Sequence, residues 1–122
     1  MFIDSHCHLD RLDLQEFNGE IAEVVKKATE AKVSHMLCVS VTLKDFPQMV
    51  EKTQAFDNVS LSCGAHPLNQ EDAIDSEQLF QLAHNPRVIA IGETGLDYFY
   101  APETKELQLD SFKKHVQVAR RL

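Results

Sequence analysis

Four apolar runs of strand length alternate with four segments of helical period, and this alternation restricts the fold more than any other feature of the chain. The runs lie at Met1 to Ile3, Val33 to Val41, Val59 to Ala65 and Val88 to Thr94, and they are rich in β-branched residues. Between the first two, Ile21, Val24, Val25, Ala28 and Ala31 recur at offsets of three and four, which lines one face of a helix. Phe46, Met49, Val50, Thr53 and Phe56 repeat the pattern, with Pro47 placed where a first helical turn tolerates a missing N–H. A shorter helix carries Leu79, Leu82 and Ala83 and starts at Asp75 or Ser76. A fourth starts near Pro102-Glu103 and is expected to bury Leu109, Phe112, Val116 and Ala119. No Asn-Gly or Asp-Gly hairpin turn joins the strands, so they must pair in parallel through crossover helices.

A four-strand parallel unit is half of the commonest closed α/β architecture, the (β/α)8 barrel. Val116 to Leu122 is still in helical register, with neither a capping glycine nor a following strand. The expectation is therefore an α/β fold holding the first four β/α units of a TIM barrel. Residues 1–122 form one unit without an internal boundary, since neither a linker nor a repeat interrupts them.

Composition narrows the function. The net charge is -7, from 12 Lys and Arg against 19 Asp and Glu, which disfavours tight binding of nucleic acid through phosphate neutralisation alone. Acting on phosphates remains open to such a chain if a bound metal supplies the positive charge. Cys7, Cys38 and Cys63 are an odd number without paired spacing, and each falls in an apolar run, as small buried thiols in a reducing compartment do. Met1-Phe2-Ile3 meets Asp4 and His6 before any long apolar stretch forms, so neither a secretory signal nor a membrane span is expected, and the cytoplasm is the expected location.

The sharpest chemical feature is His6-Cys7-His8, directly after the first strand. Alternate residues of a strand share a face, and at about 3.3 Å per residue two imidazoles at i and i+2 start roughly 6.6 Å apart, near enough to converge on one cation. Asp4 shares that face, and either it or Asp10 could orient an imidazole. Both histidines sit at the carboxyl end of their strand, where parallel α/β folds collect catalytic groups. Other strand ends there present Ser40 and Thr42, His66-Pro67, and Glu93.

Glu93 follows Val88-Ile89-Ala90-Ile91-Gly92, a run apolar enough to be buried on both faces. A carboxylate without a partner there costs several kcal/mol, so it needs a cation. An ion pair with a basic residue of the outer helices is the plain alternative, but the face shared with Ile89 and Ile91 points away from those helices. Metal ligation is the better reading. His66 shares a strand face with Ser60, Ser62 and Gly64, and could either reach a substrate or water or serve as a hydrogen-bonded structural histidine. His35, His84 and His115 fall at a strand start or on helices and read as structural. The loop Gly95-Leu96-Asp97-Tyr98-Phe99-Tyr100 sets an acid and three aromatics beside Glu93, as a stacking wall or as packing.

Three blocks, Phe2-Ile3-Asp4-Ser5-His6-Cys7-His8-Leu9-Asp10, Cys63-Gly64-Ala65-His66-Pro67 and Gly92-Glu93-Thr94-Gly95-Leu96-Asp97-Tyr98, resemble the TatD-type metal-dependent hydrolases, often described as deoxyribonucleases. The resemblance covers the whole chain. It implies an amidohydrolase-like barrel, one or two divalent metal ions and hydrolysis of phosphodiester bonds in DNA. It further implies that His6 and His8 bind one metal and that Glu93 bridges to a second, with His66 close by. The family draws two further histidines and an aspartate from later strands, which lie beyond this sequence.

The resulting expectation is metal-assisted hydrolysis by an activated water, with Mg²⁺, Mn²⁺ or Zn²⁺ as the ion and DNA or a small phosphoester as substrate. Two alternatives stand beside it: the same site acting on another ester or amide, and a non-catalytic half-barrel whose open sheet edges favour self-association.

Overall fold

The computed structural model describes residues 1–70 and 73–122. Strands β1 (Phe2–Cys7), β2 (Val33–Cys38), β3 (Val59–Cys63) and β4 (Val88–Ile91) alternate with helices α1 (Ile21–Glu30), α2 (Phe46–Thr53), α3 (Ser76–Leu82) and α4 (Lys105–Arg121). All three strand pairings are parallel, in the order β1-β2-β3-β4. A sequential parallel order is the winding of a barrel rather than of a doubly wound sheet, whose order reverses at its centre. Because parallel crossovers are right-handed, this order puts every helix on one face of the sheet. The expected half of a (β/α)8 barrel is the observed fold.

The elements form where sequence and physical chemistry favour them. Asp75 accepts the backbone N–H groups of Glu77 and Gln78 and so caps α3, and Pro47 occupies the first turn of α2. Alternation along the strands then sorts the side chains. Met36 and Cys38 of β2, with Val59, Leu61 and Cys63 of β3, join Val25, Phe46, Met49, Leu79 and Val118 of the helices in one core. The intervening His35, Leu37, Ser60 and Ser62 lie on the opposite face, the inner wall of a barrel.

Two expectations of burial need correction. Strand β4 is not covered on both faces: Ile89 is 66% exposed. Among the described residues no strand pairs with its far edge, and Phe2 and Ile3 of edge strand β1 are exposed for the same reason. Helix α4 turns a different face inward from the one its apolar pattern indicates. Leu109, Val116 and Ala119 are exposed, whereas Gln108, Ser111, His115 and Val118 are buried. The inward face is set by hydrogen bonds, since Gln108 and His115 bond to backbone at the carboxyl ends of the strands.

Those strand ends come unusually close together. Gly92 N–H donates to the Cys63 carbonyl, and Glu93 N–H reaches past β3 to the Ser40 carbonyl, each at 2.9 Å. The crossing passes over Gly64, where a Cβ would lie 2.6 Å from the carbonyl carbon of Gly92 and 2.8 Å from its Cα. These are backbone atoms, which cannot swing aside. Gly64→Ala is therefore expected to destabilise the fold by about 1–3 kcal/mol, as overpacking of a tight interior does, seen as a lower midpoint in urea denaturation. An unchanged midpoint would show that β3 and β4 can part at no cost.

Candidate metal centre

Strand β1 delivers the two histidines and β4 the carboxylate, and the crossing at Gly64 carries one to the other. His6 Nε2 and His8 Nε2 are 3.3 Å apart, and Glu93 Oε2 lies 3.5 Å from the first and 3.7 Å from the second. These residues form a group able to hold a metal ion. A point equidistant from the three atoms lies about 2.0 Å from each, which follows from their separations and matches the bond length that Zn²⁺ makes to histidine nitrogen and carboxylate oxygen. The donor set thus fits a divalent cation. Among the described residues no Lys or Arg pairs with Glu93, whose carboxylate is flanked by the imidazoles of His6, His8 and His66.

Two of the imidazoles have their tautomers set by backbone. His8 Nδ1 lies 2.9 Å from the Val39 carbonyl, which can only accept, so Nδ1 carries the proton and Nε2 presents a lone pair to His6 and Glu93. His66 is the reverse. Its Nδ1 accepts the Leu68 backbone N–H at 3.0 Å, so the neutral ring holds its proton on Nε2, 3.6 Å from Glu93 Oε1. Glu93 therefore faces a lone-pair donor on one side and a proton donor on the other. That division assigns His66 to hydrogen bonding rather than ligation while its ring is neutral.

The expected orienting acids have other partners. Asp4 accepts the backbone N–H of His6, and Asp10 lies beside Cys38 Sγ and Arg11. The Val39 carbonyl takes the orienting role, and a main-chain group leaves no trace in a residue pattern. Ser40 and Thr42 brace the mouth: Ser40 Oγ donates to the Gly64 carbonyl at 2.9 Å, and Thr42 Oγ1 accepts the Asp45 N–H at the start of α2. Ser62, which the sequence pattern places on a strand face with His66, is buried and donates to the Gly92 carbonyl at 2.7 Å. His35 pairs with Ser60 Oγ, and His84 with the Phe80 carbonyl, both away from the cluster.

His115 is structural yet bears on the site. It is buried, its Nδ1 donates to the Ser111 carbonyl at 2.8 Å, and its Nε2 accepts the Ala65 N–H at 3.0 Å, next to His66. The thiols are free, Cys38 and Cys63 are buried, and burial pushes the Cys63 thiol up to about 12.

A parallel β/α half-barrel thus brings two histidines from the end of its first strand and a glutamate from just after its fourth to one point. The sequence profile described as TatD related DNase matches residues 3–122. The chain belongs to that family. It is 47% identical over 120 residues to the uncharacterized metal-dependent hydrolase YcfH of Escherichia coli strain K12, covering 98% of this chain and 45% of that protein. The putative deoxyribonuclease TATDN3 of Mus musculus is 29% identical over 136 residues, covering 98% of this chain and 45% of that one. The crystal structure of YjjV, a TatD homolog from Escherichia coli, superposes with a TM-score of 0.83 at 25% identity, covering 98% of this chain and 47% of that one. The chain thus spans about half the length of the relatives it matches.

Burial lowers the pKa of His115 from its ordinary 6.5, with the Ser111 carbonyl opposing. A folded-state pKa below the unfolded value means that the stability given by the neutral ring is complete above about pH 6.5 and is lost as pH falls through the folded pKa. His115→Leu should cost about 1–3 kcal/mol at pH 8 by orphaning the Ala65 N–H, and should flatten the acid limb of stability below pH 6.5. Thermal melts of both chains from pH 5 to 8 read this, and parallel acid limbs would show that His115 does not titrate on unfolding.

Proposed function

We propose that this chain is the metal-bearing amino-terminal half of a single barrel domain that hydrolyses phosphodiester bonds in DNA, with His6, His8 and Glu93 ligating a divalent cation. The observation that supports it most strongly is the triangle of donor atoms, 3.3 to 3.7 Å on a side, with the His8 lone pair aimed inward by the Val39 carbonyl. The DNA substrate is favoured by the family description and by the name of the mouse relative.

Within this reading each side chain has a separate task. His6 and His8 contribute neutral nitrogens, and Glu93 Oε2 completes the set while Oε1 stays on the side of His66. The chemistry such a cation supplies when bound is Lewis acidity, which makes water acidic enough to furnish hydroxide near neutral pH and offsets phosphate charge. His66 holds a proton at Nε2, placed to donate to a phosphate oxygen as negative charge develops there. Two imidazoles suit Zn²⁺ and a carboxylate also admits Mn²⁺ or Mg²⁺, so we assign a divalent ion of that group. Three free thiols fit a reducing compartment, which favours the cytoplasm. Among the described residues no helix is long and apolar enough to cross a membrane.

A broader substrate reading has its own support, because YcfH is named a metal-dependent hydrolase with no substrate attached. Calorimetric titration with Zn²⁺ or Mn²⁺ should show one cation bound by the chain, and binding at least tenfold weaker in Glu93→Gln and in His8→Ala. In the full-length protein containing this segment, DNA hydrolysis should require added metal and fall more than a hundredfold in Glu93→Gln. Metal affinity indifferent to both substitutions would defeat the ligand assignment. Turnover of esters or amides in place of DNA would move the protein to the broader reading.

A further inference from the structure

Cys7 and Cys38 are reactive side chains for which the metal centre has no use. They stand opposite one another in the parallel ladder of β1 and β2, as Cα partners. The pairing depends on a bulge: three steps along β1 from Asp4 match two along β2 from Met36, and the extra residue brings Cys7 level with Cys38. Both side chains turn to the helix-facing side, where Cys38 is buried in the core and Cys7, partly buried, packs against it. Cys63 has no such partner, since the residue beside it on β4 is Ile91.

Neighbouring strands run about 4.8 Å apart, inside the roughly 4.4–6.8 Å between α-carbons that a disulfide spans. Hydrogen bonding between the two thiols pushes Cys7 up and Cys38 down from the ordinary thiol value, which marks the sulfurs as close neighbours. Their other contacts are weak: Cys7 Sγ donates to the Leu37 carbonyl at 3.4 Å, and Cys38 Sγ lies 3.8 Å from Asp10 Oδ1. Neither holds a sulfur back from its partner.

The pair adjoins the metal centre on both strands. His6 and His8 are the immediate neighbours of Cys7, and Val39, whose carbonyl aligns His8, follows Cys38. Val39 N–H also donates to the Cys7 carbonyl at 2.8 Å. An Sγ–Sγ bond of about 2.05 Å sets the two Cβ atoms roughly 3.8 Å apart, closer than facing side chains of paired strands ordinarily lie. Closing the bond therefore draws residues 7 and 38 together and tilts the ligands beside them.

We propose that Cys7 and Cys38 form a reversible disulfide, made by a peroxide, which releases the cation by displacing the two histidines that flank Cys7. The proposal rests on the reading of His6, His8 and Glu93 as ligands and adds to it a means of control. Cys7, the more accessible sulfur, attacks one oxygen of hydrogen peroxide; the O–O bond breaks, leaving a sulfenic acid and one water. Cys38 Sγ then attacks the Cys7 sulfur, the S–O bond breaks, and the oxygen leaves with a proton as a second water. The two thiols together lose two electrons and two protons, and the peroxide takes them up. An external thiol reopens the pair, as befits a strained bond in a reducing compartment.

In the test, the chain is oxidised with hydrogen peroxide in EDTA, freed of both, and compared with the reduced chain. Thiol titration in denaturant should fall from three free thiols to one. A non-reducing digest should yield one cross-linked pair of peptides, joining Cys7 to Cys38 and lighter by two hydrogens. Calorimetric titration with Mn²⁺, an ion with little liking for thiols, should show affinity about tenfold lower in the oxidised chain and recovered after dithiothreitol. Cys38→Ala should keep the affinity of the reduced chain and lose the response to peroxide, whereas Cys63→Ala should respond as the parent does. A link to Cys63, a link between two chains, a thiol count that stays at three, or a closed bond that leaves Mn²⁺ affinity unchanged would overturn the proposal. The digest of the parent chain needs no variant, so it decides the matter even if Cys38→Ala folds poorly. A reduced chain that binds no Mn²⁺ would sink the metal centre instead, and the digest would still decide whether the disulfide forms.

Discussion

One close backbone crossing, Gly92 over Gly64, is what the rest of the site depends on. Strand β4 is an edge strand three positions away from β1 in the sheet, yet the glutamate that follows it meets histidines from the end of β1. The approach is possible because position 64 has no side chain, which lets Glu93 N–H reach the Ser40 carbonyl at the end of β2. Ser62 and Ser40 then tie the crossing down through the Gly92 and Gly64 carbonyls. The energetic logic is that of a tight interior: a methyl group at 64 would have to displace main chain, and main chain is the least compliant part of a protein.

The electrostatics of the cluster follow from main-chain groups as much as from side chains. A carbonyl on one side and an amide on the other give His8 and His66 opposite tautomers around the same carboxylate. The two rings differ in which atom of the neutral form would face Glu93, a lone pair for His8 or an N–H for His66. Around one acid the main chain thereby sets a lone pair of His8 on one side and an N–H of His66 on the other.

Much of this was legible in the sequence, and the remainder was hidden for identifiable reasons. Apolar runs with intervening 3.6-residue periods disclosed four β/α units, because hydrophobic burial imposes those periods directly. The convergence of His6, His8 and Glu93 could be anticipated from strand alternation and from their places at the carboxyl ends of parallel strands. The inward face of α4 could not. Its pattern of Leu109, Val116 and Ala119 indicates one stripe, whereas Gln108 and His115 are turned inward by hydrogen bonds to the Asp97 loop and to Ala65, and such bonds outrank apolar count when backbone must be satisfied in a buried position. The orienting group of His8 was hidden for another reason: it is a carbonyl, which every residue possesses.

That last feature bears on how such a centre tolerates divergence. Since the acceptor that aligns His8 belongs to the peptide unit at 39, replacing the valine side chain leaves the alignment untouched, while a shift of β2 by one residue against β1 would turn that carbonyl away and unseat the imidazole. The orientation of the His8 ring thus rests on strand register, spread over the ladder from Phe2 to Cys38, and not on any single side chain.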